Sequence, residues 1–327
     1  MPHRPRVYWV DFVVSLAVAY ACLWLYLTSP LASPAKAVGF LGAGFALYRL
    51  SVFTHEIAHF RRGTFAGFRL AWNALLGVPC LMPSFLYADH VSHHVNHSYG
   101  TKTDAEYYPL GRGPLSLVLG YFAQTIVLPV GAVVRFGLLS PLSHLMPPLR
   151  RFVWERASSI ASMNPYYRRP AASVAIRREA LVAEAACFAW IAGVAVLLVT
   201  GVVPWSWLLQ LYLLFAFVTL MNYTRALGAH RYLNAGEPMS YRDQLLDSTT
   251  IPGSPLTVLW APLGMRYHAL HHLVPSLPYH AMAAAHRRLM DQLPDDSPYR
   301  QTLRTGLVEA IADVVRNASR GARHHAS

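Results

Sequence analysis

The sequence predicts an all-α integral membrane protein with four transmembrane helices in two hairpins, interfacial helices and a histidine-rich cap on the cytosolic side. Of the 327 residues, 54% are hydrophobic and 13% are charged, against roughly a quarter charged in an ordinary soluble domain. Several apolar stretches are long, and histidines cluster beside them. Because lipid offers the backbone no hydrogen-bond partners, spans of this kind are predicted to be helical.

Four stretches supply the predicted spans. Crossing about 30 Å of hydrocarbon takes roughly 17 to 25 residues. The stretches that meet this need are residues 12–28, 37–53, 180–203 and 205–223. The short links 29–36 and 201–206 join them into two helical hairpins.

Two further apolar segments, 70–88 and 114–134, are predicted to lie in the interface or to enter and leave on one side. If either one alone crossed, the histidine clusters before and after it would lie on opposite faces of the membrane and could not meet. The stretch 135–179 is rich in arginine. By the positive-inside rule, we expect this stretch, both termini and the histidine clusters to face the cytoplasm.

Residues 1–300 are predicted to form a single membrane domain, followed at 301–327 by a C-terminal helix, placed at 302–318, and a disordered tail. The net charge of +12 suits anionic lipid headgroups or an acidic protein partner, and nucleic acid is not expected for so apolar a chain. The scattered Cys22, Cys80 and Cys187 match no metal-binding spacing. His324 and His325 in the tail are expected to be solvated.

Three histidine clusters share one geometry. His55 and His59 are four residues apart, and both 90–94 and 268–272 read H-x-x-H-H. Positions i, i+3 and i+4 share one face of a helix, so each cluster points its imidazoles at one place. Histidine is costly near lipid unless it is paired or bound to a metal. The predicted metal ligands are His55, His59, His90, His93, His94, His268, His271 and His272, with His230 just beyond the last span as a ninth.

The number of ligands predicts two metal ions. A catalytic zinc site uses about three protein ligands and an open position, so one ion cannot use this many histidines. Two ions can share them and keep positions free for oxygen or water. Imidazole suits iron, zinc, copper and nickel, so the spacing alone does not name the metal.

Residues 55–59, HEIAH, also fit the H-E-x-x-H spacing of a zinc membrane protease, with Glu56 as the base. That alternative leaves both H-x-x-H-H clusters without a role. A metal transporter without catalysis is a third possibility, but it would need polar residues within spans that are almost wholly apolar. Metal-dependent catalysis by all three clusters is therefore favoured.

HEIAH, HVSHH and HALHH together resemble the three histidine boxes of the membrane fatty acid desaturase and hydroxylase superfamily, and their order is similar to that of the fatty acid desaturase branch. The similarity covers about residues 10–290. It implies a non-haem di-iron centre in a cytosolic cap, held by the nine histidines named above, with dioxygen and electrons as co-reactants.

Two departures from the family pattern concern residues near the boxes. Stearoyl-CoA desaturases resemble this region but carry an asparagine one turn before the additional histidine, where Ala226 stands here; Asn222 is the nearest substitute. The family's Asp-Pro-Asp or Asp-Pro-Glu after box 2 is replaced by Asp104-Ala105-Glu106. Metal-bound histidines usually donate their other N–H to a carboxylate. The acidic residues predicted to support the ligands in this way are Asp104 first, then Glu56 and Asp247, with Asp89, Glu106 and Asp243 as further candidates.

The resemblance implies an oxygen-dependent lipid desaturase that introduces a double bond into an acyl chain. A hydroxylase or ketolase of the same scaffold, acting on acyl lipid, alkane or carotenoid, is the alternative that the histidine boxes leave open. The chain has no fused haem or flavin domain, so a ferredoxin-, rubredoxin- or cytochrome-like electron donor is expected to dock. The arginine-rich stretch 135–179 is one candidate face for such an acidic partner, and lipid contact is the other interpretation of the same residues.

Overall fold

The computed structural model describes residues 3–61, 63–159 and 164–324. Within these ranges the regular structure is helical, with two isolated β-bridges. The longer helices are α1 (Pro5–Thr28), α2 (Pro34–His59), α3 (Leu115–Val134), α4 (Val174–Val199), α5 (Ser206–Leu227), α6 (Tyr279–Gln292) and α7 (Leu307–His324). Shorter helices are Ala66–Trp72, Asn73–Gly77, Ser84–Tyr87, His90–His93, Arg135–Leu139, Ser140–Ser143, Pro147–Arg156, Tyr241–Asp247, Thr257–Trp260, Met265–Tyr267, His268–Leu273 and Pro298–Gln301.

Five helical segments of the described chain are long and apolar enough to cross a membrane: α1, α2, α4, α5 and Leu115–Ser143, which begins with α3. The first four correspond to the predicted spans, and the all-α, multi-pass membrane architecture is confirmed. The fifth makes one more candidate than the four predicted. Segment 114–134 was expected to be a helix that lies in the interface or enters and leaves on one side, and it forms a continuous helix with the turns that follow it.

The histidines on either side of α3 restrict its path. His93 precedes α3 and His230 follows α5, yet their Nε2 atoms lie 3.3 Å apart. An odd number of complete crossings between them would place them on opposite faces, so α3, α4 and α5 cannot all cross. Pro129 lies inside α3, and α3 runs directly into the π-helical turn Arg135–Leu139. This geometry agrees with a helix that enters the apolar layer and returns.

The other predicted interfacial segment, 70–88, is broken into short helices. The break at Pro79 and Pro83 is expected, since proline removes a backbone donor and clashes with the preceding turn. The Asn73 side chain closes the resulting loop, because its Oδ1 accepts a hydrogen bond from the Ser84 N–H at 2.8 Å. Trp72 ties the loop to α2 by donating to the Leu50 carbonyl at 2.8 Å.

Helices α1 and α2 form the first predicted hairpin. Ser33 caps α2 by accepting a hydrogen bond from the Lys36 N–H at 3.2 Å. The buried Lys36 ammonium donates to the carbonyls of Tyr26 and Ser29, at 2.7 and 2.8 Å, and so satisfies the C-terminal end of α1. A Cβ on Gly39 would lie 2.5 Å from the Tyr26 nitrogen, so glycine permits the close approach of the two helices.

Helices α4 and α5 are joined by a short turn, in which Gly201 adopts a positive φ of 75°. They then separate. Helix α5 packs against α2 and α3, whereas α4 packs against the bend formed by residues 135–143. The second predicted hairpin is therefore present as a short connection, but its two helices pack against different parts of the protein.

Three arginines of the predicted acidic-partner face 135–179 point into the protein. Arg135 and Arg150 both bind Glu184, each with an N···O distance of 2.7 Å. Arg169 lies 3.2 Å from Asp89. A buried carboxylate is stable only when it is paired, so these arginines neutralise internal acids and are not free to bind an acidic partner.

The C-terminal helix α7 begins at Leu307 and packs against α3 and α5. Val314 and Ala318 are buried in a cluster that contains Leu227 and Tyr232. The helix starts later than the predicted 302–318 and continues to His324, so part of the stretch predicted to be a disordered tail is helical. His325 and the other residues of 325–327 lie outside the described residues.

Candidate metal centre

The structure brings all nine predicted ligands together in two adjoining groups. Within each group the candidate ligand atoms lie within 4.8 Å of one another. The first group consists of His55, His59, His90, His94 and His271, and the second of His93, His230, His268 and His272. The groups meet at His94 and His272, whose ring centroids are 4.5 Å apart.

Each histidine owes its position to a helix end or a short helix. His55 and His59 occupy the last turns of α2, which ends as Phe60 turns to an extended conformation. His90 and His93 lie in the helix His90–His93, and box 3 forms the helix His268–Leu273. The i, i+3, i+4 spacing then turns the rings of each box to one side.

Backbone hydrogen bonds bring His230 to box 3. The Thr249 N–H donates to the Ala229 carbonyl at 2.8 Å, and the Ala269 N–H donates to the Thr249 carbonyl at 2.9 Å. Residue 249 thus links the chain after α5 to the box 3 helix. The His230 and His268 Nε2 atoms consequently lie 2.8 Å apart.

The Nε2 atoms within each group converge to the spacing of ligands around a metal ion. In the first group His94 Nε2 lies 3.0 Å from both His90 Nε2 and His271 Nε2. In the second group the His93–His230 and His268–His272 separations are 3.3 and 3.1 Å. Imidazole nitrogens bound to one zinc ion at about 2.0–2.1 Å would lie about 3 Å or slightly more from each other.

The hydrogen bonds around the histidine rings show whether the two groups can bind metal ions. His93 Nδ1 lies 2.8 Å from Asp104 Oδ2, and His90 Nδ1 lies 2.5 Å from Glu106 Oε1. Rings that donate through Nδ1 present a lone pair at Nε2. Converging lone pairs repel one another unless a cation lies between them. The buried Nε2 atoms of His55 and His59 likewise have no hydrogen-bond partner within the described chain, so the donor set fits metal ions.

The electrostatics keep most of these rings neutral. Burial, reinforced by the neighbouring histidines, holds the pKa well below the ordinary value of 6.5 for His90, His94, His230, His268, His271 and His272. His93 is the exception: burial lowers its pKa, but Asp104 and other nearby acids outweigh burial and raise it. Metal ions bind imidazole in its unprotonated form.

Asp104 occupies the supporting position predicted for it. The carboxylate is fully buried, and Oδ2 accepts from both His93 Nδ1 and the Gly100 N–H, the latter at 2.9 Å. Oδ1 accepts from the Glu106 N–H at 2.9 Å. Three donors therefore fix the carboxylate that orients His93. Glu106, which follows two residues later, performs the same task for His90.

Asp247 reaches its histidine through a tyrosine. Tyr99 donates to Asp247 Oδ2 at 2.8 Å, and the Tyr99 oxygen lies 2.8 Å from His230 Nδ1. Tyr107 donates to the same Asp247 oxygen at 2.9 Å. Tyr99 and Tyr107 were not predicted from the sequence, because nothing in their local spacing marks them. Gln244, whose amide lies 3.1 Å from His272 Nδ1, was missed for the same reason.

Glu56 does not contact the ligands that it was predicted to support. Its carboxylate accepts hydrogen bonds from the Tyr8 hydroxyl and from the Tyr279 N–H, the latter at 3.3 Å. Adjacent helical residues point about 100° apart, so Glu56 faces α1 and α6 while His55 faces the other histidines. A carboxylate held in this way is not placed as the base of a zinc protease.

Asn222 and His97 also lie outside both histidine groups. Asn222 Oδ1 accepts a hydrogen bond from Arg225 Nη2 at 2.9 Å, so it does not replace the asparagine that Ala226 lacks. His97 is exposed at the surface. Neither residue adds a ligand to the nine.

Comparisons with known proteins agree with this site. A family model described as fatty acid desaturase matches residues 31–303, the region that contains both histidine groups. The chain is 39% identical over 323 residues to a ceramide hydroxylase of Caulobacter vibrioides (strain NA1000 / CB15N), an alignment that covers 97% of this chain and 90% of the relative. No solved structure matches the chain.

Proposed function

We propose, from the premise that this chain belongs to the fatty acid desaturase family, that it is a di-iron lipid hydroxylase that uses dioxygen to hydroxylate a chain of a ceramide-type lipid. The observation that carries the proposal is the convergence of nine neutral or carboxylate-supported imidazoles in two adjoining groups. As a member of this family, the chain is a membrane oxidoreductase of the desaturase and hydroxylase type.

The nine histidines would hold two iron ions, one in each group. When bound, the pair supplies the oxygen chemistry that can attack an unactivated C–H bond. The protein's part is to orient the rings. Asp104, Glu106 and the Tyr99–Asp247 pair fix the tautomers of His93, His90 and His230. Burial of seven of the nine rings limits the access of water to the centre.

Hydroxylation is preferred to desaturation because the similar protein of Caulobacter vibrioides is a ceramide hydroxylase. Desaturation was the first expectation from the sequence, and it stays the second candidate because the matching family model is described as fatty acid desaturase. The ceramide hydroxylase, in contrast, is 39% identical to this chain over 97% of its length. Both reactions use the same ligands and differ in whether the lipid gains an oxygen atom or loses two hydrogens.

An external protein would supply the electrons. His59 and His94 are the partly exposed members of the first histidine group, and the others in that group are buried. A ferredoxin-, rubredoxin- or cytochrome-like donor would therefore approach this side of the centre. The arginine-rich loops beyond α3 support a cytoplasmic location for the centre and for both termini.

Product analysis tests the proposal. The full-length chain would be expressed with a reductase system in a host supplied with ceramide and isotopically labelled dioxygen, and lipids analysed by mass spectrometry. Hydroxylation predicts a ceramide that gains one labelled oxygen atom, whereas desaturation predicts loss of two hydrogens without label. His93→Ala should abolish the product. His97→Ala is the matched control and should retain it, because His97 lies outside both groups.

Iron content separates a failed proposal from a failed preparation. Wild-type protein that holds two iron ions per chain, is reduced, and leaves ceramide unmodified would refute the hydroxylase assignment. About one zinc ion and no iron would refute the di-iron assignment.

A further inference from the structure

Arg225 differs from Arg49 of α2 and from Arg135 at the end of α3, which both bind a carboxylate. Arg49 binds Asp11 with an N···O distance of 2.6 Å, and Arg135 binds Glu184 at 2.7 Å. Arg225 lies in the last turn of α5 and has no carboxylate partner among the residues that the structure describes; its guanidinium donates to Asn222 Oδ1 and lies beside the Tyr48 hydroxyl. The Arg225 Nε is buried and has no hydrogen-bond partner within the same ranges.

The guanidinium lines a narrow cleft that reaches the second histidine group. Arg266 and His268 line the same cleft, together with apolar surface from Trp260 and Met265. Every lining residue is cationic, neutral polar or apolar: Arg225, Gly228, Ala229, Thr249, Ile251, Trp260, Met265, Arg266 and His268. The cleft therefore offers hydrogen-bond donors beside His268 without an acidic side chain to accept them.

The segment that forms one wall of the cleft has an apolar outer surface. Helix Thr257–Trp260 packs between α2 and α5, and Leu256, Val258 and Leu259 are exposed on or beside it. Apolar side chains exposed at the end of membrane helices suit contact with lipid. Trp260, the last residue of this helix, lines the cleft together with Arg225 and Arg266, so a lipid against the outer surface would lie close to both arginines.

A guanidinium has five N–H donors and no acceptor, so its ligand must supply acceptor oxygens. The narrowness of the cleft selects a small group, such as a carbonyl oxygen, over a bulky headgroup. We propose that Arg225 donates hydrogen bonds to the amide carbonyl oxygen of an N-acylated lipid in this cleft, and so determines which carbon lies beside the second histidine group. This inference rests on the proposed function, since a ceramide supplies the amide.

Binding to the metal-free protein tests the inference without turnover. The probes are a radiolabelled ceramide and the same lipid with its amide replaced by an ether linkage, which removes the carbonyl and keeps the lipid neutral. Wild-type protein should bind the amide at least about tenfold more tightly, the effect of one hydrogen bond to a charged donor. Arg225→Met should lose this preference, and Arg225→Lys should recover part of it.

Arg49→Met is the matched control, because its guanidinium is already bound by Asp11 and it does not line the cleft. It should keep the wild-type preference for the amide. With the iron-loaded enzymes, Arg225→Met should also spread hydroxylation over several carbons at unchanged iron content. A merely structural role would reduce the amount of product without moving its position.

An equal preference for the amide in wild type and Arg225→Met would overturn the assignment. If Arg225→Met does not fold, Arg225→Lys decides: a wild-type preference and a single product position in that variant would also overturn it. If a phosphate-bearing ceramide binds more tightly than ceramide, and does so only when Arg225 is present, the ligand of Arg225 is an anionic group and not the amide carbonyl. That result would also overturn the assignment. Amide-selective binding without any oxygenated product would instead refute the proposed function and leave the cleft assignment standing.

Discussion

The replacement Asp104→Asn is predicted to weaken metal binding at the second histidine group. Asp104 accepts from three N–H groups, those of His93 Nδ1, Gly100 and Glu106. An asparagine has almost the same shape but only one acceptor oxygen. At least one of the three donors would therefore face an amide N–H₂ in a site from which water is excluded.

The size of the expected loss of metal affinity follows from the hydrogen bonds that Asp104→Asn would remove. A hydrogen bond to a charged group contributes about 1.5–3 kcal/mol, and leaving a buried donor unpaired costs about 1–3 kcal/mol. Loss of the carboxylate that supports a metal-bound histidine typically lowers metal affinity about 10–100-fold, which corresponds to about 1.4–2.7 kcal/mol. The two estimates agree, so we expect a loss of affinity in this range.

The assay is competition for iron between the purified protein and a chelator of known affinity, with total metal measured by mass spectrometry. Asp104→Asn should lose metal at a chelator concentration that leaves the wild type loaded. Asp243→Asn is the control: its carboxylate accepts a hydrogen bond from Ser240, the residue that caps the helix Tyr241–Asp247, and it belongs to neither metal group. Identical metal retention by Asp104→Asn and wild type would refute the idea that Asp104 supports a ligand.

Three further substitutions separate the roles of neighbouring groups. Tyr99→Phe should lower metal affinity by about tenfold or less, because Ser248 Oγ remains 3.3 Å from His230 Nδ1; chelator competition measures it. Lys36→Met should reduce the free energy of unfolding by about 1.5–3 kcal/mol, since two carbonyls lose a charged donor. Lys102→Met, at an exposed position, should leave the free energy of unfolding unchanged. Thermal unfolding in detergent compares the two variants. Glu56→Gln should lower thermal stability yet keep full metal content, because its contacts are to Tyr8 and Tyr279; metal loss would contradict this.

The histidine boxes made much of the site predictable. A helix fixes the angle between residues three and four positions apart, so each box specifies its own shared face. Membership of the fatty acid desaturase family, predicted from those boxes, is confirmed by the match to residues 31–303. The convergence of boxes that are distant in sequence was also predictable, since ligands on opposite faces of a membrane cannot share a metal ion.

The supporting residues were only partly predictable because they depend on tertiary contacts. Asp104 lies eleven positions from His93 and could be found beside box 2. Tyr99 bonds Asp247 across 148 positions, and no periodic pattern encodes such a contact. Glu56 illustrates the opposite error: its proximity in sequence to His55 suggested a shared role, although neighbouring positions on a helix point in different directions.

The membrane path shows why composition alone gives an incomplete topology. Segment 115–143 satisfies the length and hydropathy requirements for a span, but the histidines before and after it meet at one centre. Hydropathy measures whether a helix can lie in lipid, whereas the number of crossings is constrained by which residues must end on the same side. A buried charge adds a second constraint: Arg135, where α3 ends, pairs with Glu184 inside α4. The first constraint excludes a complete crossing by all three of α3, α4 and α5, and the ion pair holds the end of α3 against α4.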